Sequence, residues 1–138
     1  MDQLYEDIKR DEGLRLQVYR CPGGFPTVGY GHRVAIGDPI SQEAADTLLR
    51  FDLARVVELF ARLPQAYRCA LDPCRRRVVC NMLFNLGLGG ALNFRRMWEA
   101  ILAGDFDRAA AEMLDSKWAR QVGQRARRLA DQMRRGEG

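Results

Sequence analysis

The sequence predicts an α+β fold, mainly helical, with a small β-hairpin lobe, a connecting helix and a helical bundle. Three observations carry this. Residues 11–32, DEGLRLQVYRCPGGFPTVGYGH, set a short apolar alternation on either side of a Pro-Gly-Gly turn. Residues 42–62 hold one long apolar stripe at helical spacing. Beyond Pro64, short helical periods follow one another, each with its own cap or glycine stop. At 138 residues the chain reads as a single domain with room for two lobes around a cleft.

Taken in order, Leu4 and Ile8 stand four apart with Tyr5 beside them, predicting an amphipathic helix over 2–12 with Asp2 as its cap. Gly13 supplies the stop. Glu12 then falls in the last turn, where a carboxylate opposes the helix dipole and adds nothing to stability. Leu14, Leu16 and Val18 alternate with Arg15, Gln17 and Tyr19, predicting a strand with one buried face. Pro22-Gly23-Gly24 turns the chain, and Phe25 to His32 returns as a second strand. Gly29 and Gly31 weaken that strand, which suits a bulge or a close backbone approach.

Residues 33–40 read as a loop. Ser41 caps a helix in which Leu49, Leu53, Val56, Phe60 and Leu63 share a face, followed by a helical turn at 66–71. Asp72-Pro73 is a cap with proline at the first helical position. The helix it opens is apolar all round from Val78, which predicts the central buried helix, stopped at Gly87. Asn93 is expected to cap a helix to Ala103, and Asp105 another to Leu114. A last basic helix over 124–135 turns Leu129 and Met133 inward. The lobes are expected at 13–40 (hairpin) and at 64–138 with 1–12 (helical body), with 41–63 connecting them.

Charge and cysteine content narrow the function. The net charge of +4 is uneven: residues 1–60 hold 7 basic and 10 acidic side chains, residues 61–138 hold 15 and 8. A basic second half suits a polyanionic partner, and equally a solvated helix surface. No apolar run reaches the roughly 18 residues of a membrane span. The acidic start MDQLYEDIKRDEG is unlike a secretory signal, so synthesis in the cytoplasm is expected. Cys21, Cys69, Cys74 and Cys80 form no C-x-x-C pair, and the lone His32 cannot complete a zinc set. No metal or cofactor is expected, and Cys69, Cys74 and Cys80 read as buried, reduced thiols.

Glu12-Gly-Leu-Arg-Leu, Tyr19, Gly24 and Thr27-Val-Gly-Tyr-Gly-His32 resemble the signature of the phage-type lysozymes, glycoside hydrolase family 24. The resemblance continues in order through Asp72 with Arg75-Arg76, Asn81-Met82, Phe84-Asn85, Phe94, Trp118 and Arg125-Ala126. It implies a lysozyme-like fold with the active-site cleft between the lobes. It also implies an endolysin that cuts the β-1,4 bond between N-acetylmuramic acid and N-acetylglucosamine in peptidoglycan, lysing the host cell. A holin-type partner would release it to the wall, and the protein would act as a monomer without nucleic acid or stable membrane insertion.

By the same resemblance Glu12 is the general acid, Arg125 its ion-pair partner, and Thr27 the hydroxyl that positions the attacking water. His32 ties the hairpin lobe to a nearby acid, while Arg33 and Phe84 contact substrate. Counted from Glu12 without a gap, Cys21 stands where the family carries its catalytic aspartate. A free thiol titrates at about 8.5 and is only slightly ionised at neutral pH. Three readings stay open there. Cys21 does the aspartate's work as thiolate or polar thiol; or Glu12 and Thr27 suffice without it; or the protein binds peptidoglycan with impaired cleavage. A basic helical nucleic-acid-binding protein is the rival class, and it leaves the Glu12–His32 block without a purpose. Taken alone, Glu12 is a surface charge, Thr27 a strand residue, and Phe94 and Trp118 are core.

Overall fold

The structure, a computed structural model, describes residues 2–136. The expected α+β, mainly helical class holds. Helix α1 (Asp2–Glu12) leads into an antiparallel sheet of β1 (Arg15–Arg20), β2 (Pro26–Gly29) and β3 (His32–Arg33), in the order β1-β2-β3. Seven helices follow: α2 (Gln42–Ala61), α3 (Gln65–Cys69), α4 (Pro73–Leu92), α5 (Arg95–Leu102), α6 (Phe106–Leu114), α7 (Lys117–Val122) and α8 (Gln124–Arg135). The chain divides into two compact units, Met1–Ala45 and Asp46–Gly138.

In the first unit, Gly13 at φ +70° closes α1, and its N–H donates to the Lys9 carbonyl at 3.0 Å. Asp2 lies inside the first turn of α1 instead of capping it. The turn after β1 is closed twice: Gly24 N–H donates to the Cys21 carbonyl at 2.7 Å, and Cys21 N–H to the Phe25 carbonyl at 2.9 Å. Tyr19 then faces Thr27 across the ladder, and Thr27 faces Arg33.

Two expectations for the hairpin are corrected. The return strand is broken in two, because Gly29 and Gly31 both take positive φ and fold the chain back through Tyr30. The apolar alternation of β1 is exposed, Leu16 reaching 84%. Alternation records which side chains share a face, but burying that face needs a second layer, and this small unit supplies none over it. The buried position of the sheet is Thr27, at 1% exposure.

The second unit holds the core. Val78, Val79, Met82 and Leu83 of α4 pack with Met97, Trp98 and Ile101 of α5, Ala109, Ala110 and Met113 of α6, and Ala126, Leu129, Ala130 and Met133 of α8. Trp98 stacks on Tyr67 at 4.4 Å and gives its indole N–H to the Ala91 carbonyl at 3.0 Å. The expected caps form at Ser41, Asp72 and Asp105, each accepting from the N–H three residues on. Arg75 closes the far end: Nε donates to the Met133 carbonyl at 2.6 Å and Nη2 to the Arg134 carbonyl at 3.0 Å, while Nη1 pairs with Asp72. One guanidinium thus serves the cap of α4 and the last carbonyls of α8.

Three local readings change here. Gly87 (φ 74°, ψ 178°) kinks α4 without ending it, because helical geometry resumes at once and runs to Leu92. Asn93 therefore closes α4, and Phe94 takes the position before α5. Cys69 is exposed, since its short helix α3 buries no residue, whereas Cys74 is buried and Cys80 half-buried. On α2 the stripe is covered only at its far end: Val56 and Leu63 join the core, while Leu49 and Leu53 stay about half exposed.

Candidate active site

The two units hold different parts of the expected site. In the first, Glu12 ends α1 with its side chain exposed and its carboxyl laid over Gly31. A Cβ on Gly31 would stand 2.9 Å from both Cδ and Oε2 of Glu12. The glycine's missing side chain is therefore the seat of that carboxylate. This is the close approach suggested by glycines in the return strand, and its occupant is the expected acid.

Cys21 follows β1 directly, at the start of the turn, among hydrogen-bond donors. Its thiol is held below the ordinary value, first by the Phe25 backbone N–H, then, against the opposing effect of desolvation, by the Gly23 N–H, the Thr27 hydroxyl and the Arg33 charge. Thr27 also gives its hydroxyl proton to the Phe25 carbonyl at 2.8 Å. One hydroxyl proton cannot serve both acceptors. That proton goes to the Phe25 carbonyl. The half-buried thiol, not the buried threonine, is the member of this pair that meets solvent.

Arg33, on β3, lays its guanidinium 4.7 Å from the centre of the Phe25 ring. The structure thus brings Cys21, Thr27 and Arg33 together, with Phe25 as their common support. Sequence reasoning missed Phe25, whose ring, N–H and carbonyl serve Arg33, Cys21 and Thr27 in turn. Its place as the residue closing the Cys-Pro-Gly-Gly turn was the available signal. His32 is exposed on β3, and among the described residues no acid of its own unit pairs with it.

In the second unit, Phe84 and Arg125 line one cavity of about 380 Å³ together with Leu49, Leu53, Val56 and Asn81. Phe84 is 41% exposed on α4. Arg125 opens α8, and the Asn81 carboxamide oxygen accepts from both its Nε (2.8 Å) and its Nη2 (2.5 Å). One turn further along α4, Asn85 accepts the Trp118 indole N–H at 2.7 Å. The two asparagines that interrupt an otherwise apolar helix are therefore each spent on one side chain from the C-terminal helices. Trp118 is core, as expected, and meets the half-buried Phe94 edge-on at 6.0 Å.

No group of three or more His, Cys, Asp or Glu side chains that could hold a metal ion occurs among the described residues. No helix among them is long and apolar enough to cross a membrane. A carboxyl seated on a glycine, and a thiol–hydroxyl pair beside an arginine, are groups able to give and take protons.

The family described as phage lysozyme matches residues 9–137. An endolysin of Acyrthosiphon pisum secondary endosymbiont phage 1 is 37% identical over 115 residues, spanning 82% of this chain and 75% of that protein. The pre-baseplate central spike protein Gp5 of Enterobacteria phage T4 is 34% identical over 153 residues, spanning 91% of this chain; the chain covers only 26% of the spike protein's length. A probable T4-type lysozyme from Dictyostelium discoideum is 25% identical, with 94% of this chain and 92% of that protein covered.

Proposed function

The chain belongs to the phage lysozyme family, and on that premise we propose that it is an endolysin: a muramidase that hydrolyses the β-1,4 bond between N-acetylmuramic acid and N-acetylglucosamine in peptidoglycan and so lyses the host cell. The observation that carries this reading is the seating of the Glu12 carboxyl on Gly31, in the same unit as the Cys21–Thr27–Arg33 group.

Glu12 protonates the leaving glycosidic oxygen. On the opposite side of the sugar, Cys21 takes a proton from the attacking water, which the Thr27 hydroxyl positions. Arg125, held by Asn81, is the proposed ion-pair partner of the Glu12 carboxyl. Arg33 and Phe84 contact the glycan. Residues 13–40 serve as the hairpin lobe and 41–63 as the connecting helix. The protein acts as a monomer on peptidoglycan, made in the host cytoplasm and released to the wall with a holin-type partner.

The thiol in the aspartate's place favours one second reading, a lysozyme homologue that binds peptidoglycan and cuts it poorly. Clearing of purified sacculi decides between them. Wild type is expected to clear the suspension and Glu12→Gln to leave it turbid. A wild type that binds sacculi without clearing them supports the impaired homologue, and equal clearing by both proteins removes Glu12 as the acid.

A further inference from the structure

Gly31 can seat the Glu12 carboxyl only while the turn that carries it stays against the end of α1. That turn is the link Gly29-Tyr30-Gly31 between β2 and β3, in which both glycines take positive φ. On one side β1 holds it, Arg15 pairing with Gly29 across the ladder. On the other side it meets α1, and Tyr30 is the residue that makes the meeting.

The partner of Tyr30 there is Lys9. Its Nζ lies 5.2 Å from the centre of the Tyr5 ring, one turn back on α1, and 5.5 Å from the centre of the Tyr30 ring. Both lie within the roughly 6 Å over which an aromatic face attracts a cation. The ammonium is free for this role: the ion pairs of α1 among the described residues belong to Arg10, with Asp7 at 3.4 Å and Asp11 at 3.3 Å. The Lys9 backbone works at the same place, since its carbonyl accepts the Gly13 N–H that closes α1 just past Glu12. Lysine is also the rarer choice in this chain, Lys9 and Lys117 being the only two among 22 basic side chains. A compact ammonium serves two rings in any relative orientation, whereas a planar guanidinium needs both parallel to it.

We propose that Lys9 and Tyr30 are positioning residues for the acid: clasped between Tyr5 and Tyr30, the Lys9 ammonium holds the turn against the end of α1 and keeps Gly31 beneath the Glu12 carboxyl. Neither side chain touches the reacting atoms. The effect on rate rests on the reading of Glu12 as the acid; the clasp itself does not.

The test is made on the full chain by nuclear magnetic resonance, with Lys117 as the internal reference. Ring currents should place the Lys9 ε-CH2 protons upfield of those of Lys117. Tyr30→Leu should move them part of the way back and shift the Glu12 carboxyl carbon, while Tyr30→Phe, which keeps the ring, leaves both in place. Tyr30 is 41% exposed, so Tyr30→Leu should keep the wild-type urea midpoint. In sacculus clearing, Tyr30→Leu and Lys9→Met should each lower the maximal rate by about tenfold, part of the roughly hundredfold that a 1 Å displacement costs. The half-saturating sacculus concentration should not change, and Tyr30→Phe should restore the rate. Adding Tyr30→Leu to Gly31→Ala should cost little more than Gly31→Ala alone, because both act through one seat. A Lys9 signal at the Lys117 position, an unmoved Glu12 carbon in Tyr30→Leu, a Tyr30→Phe as slow as Tyr30→Leu, or fully multiplied losses in the double variant would overturn the proposal. The two spectroscopic readouts need no hydrolysis. If wild type shows them and clears no sacculi, the clasp stands and the acid assignment falls; if it clears sacculi without them, the clasp alone falls.

Discussion

Gly31 and Gly29 form a matched pair on which the placement of Glu12 can be tested. Both take positive φ, +77° and +71°, so an alanine at either is strained to about the same degree, of order 1–2 kcal/mol. Their surroundings differ. A Cβ at Gly29 meets nothing within 4 Å, whereas at Gly31 it would lie 2.9 Å from the Glu12 carboxyl. Because the atoms in the way are the end of a flexible side chain, Glu12 yields and stability is lost through φ alone. Gly29→Ala and Gly31→Ala should therefore unfold at nearly the same denaturant concentration. Their activities should part: displacing the acid by even 1 Å costs on the order of a hundredfold in rate. Initial rates of sacculus clearing, measured beside urea midpoints, read both quantities. If Gly31→Ala keeps as much activity as Gly29→Ala, the seat on Gly31 does not place the catalytic acid.

Cys21→Ser, which keeps a hydroxyl but cannot ionise near neutrality, is expected to lower the clearing rate by about a hundredfold, the usual contribution of a positioned base; an undiminished rate would make Cys21 a bystander. Cys21→Asp should stay active and carry its acid limb to lower pH, since a carboxylate is charged above about 4 and a thiolate only above its own, lowered value. Competitive alkylation at pH 7, read by peptide mass, should mark Cys21 ahead of the more exposed Cys69, and Cys80, whose thiol burial pushes up, after both. Asp72 is raised by burial but lowered further by the N–H, side chain and charge of Arg75. Its stabilising effect is thus complete above the ordinary carboxylate value and lost as pH falls through the depressed one, so Asp72→Asn should flatten the acid limb of a stability–pH curve. Arg75→Met should cost about 2–3 kcal/mol in urea unfolding, because the α8 carbonyls and Asp72 lose a charged donor together.

What could be read from the sequence follows the range of the forces involved. The caps at Ser41, Asp72 and Asp105 were legible because a cap is settled within four residues. The Cys-Pro-Gly-Gly turn was legible for the same reason, and so was Glu12, whose place at the wrong end of a helix argued against a structural role. The exposure of Leu14, Leu16 and Val18 was not, because burial depends on a layer that the strand itself does not encode. The donors around Cys21 are mostly backbone N–H groups, which no residue letter distinguishes. Asn81 and Arg125 are 44 residues apart, and only the packing of α8 along α4 makes them partners.

Mass spectrometry of products released from purified peptidoglycan tests the central claim most directly. The account predicts muropeptides ending in an intact reducing N-acetylmuramic acid, released by wild type and lost in Glu12→Gln. Products ending in reducing N-acetylglucosamine or in anhydro-muramic acid, or free stem peptides with the glycan uncut, would contradict it.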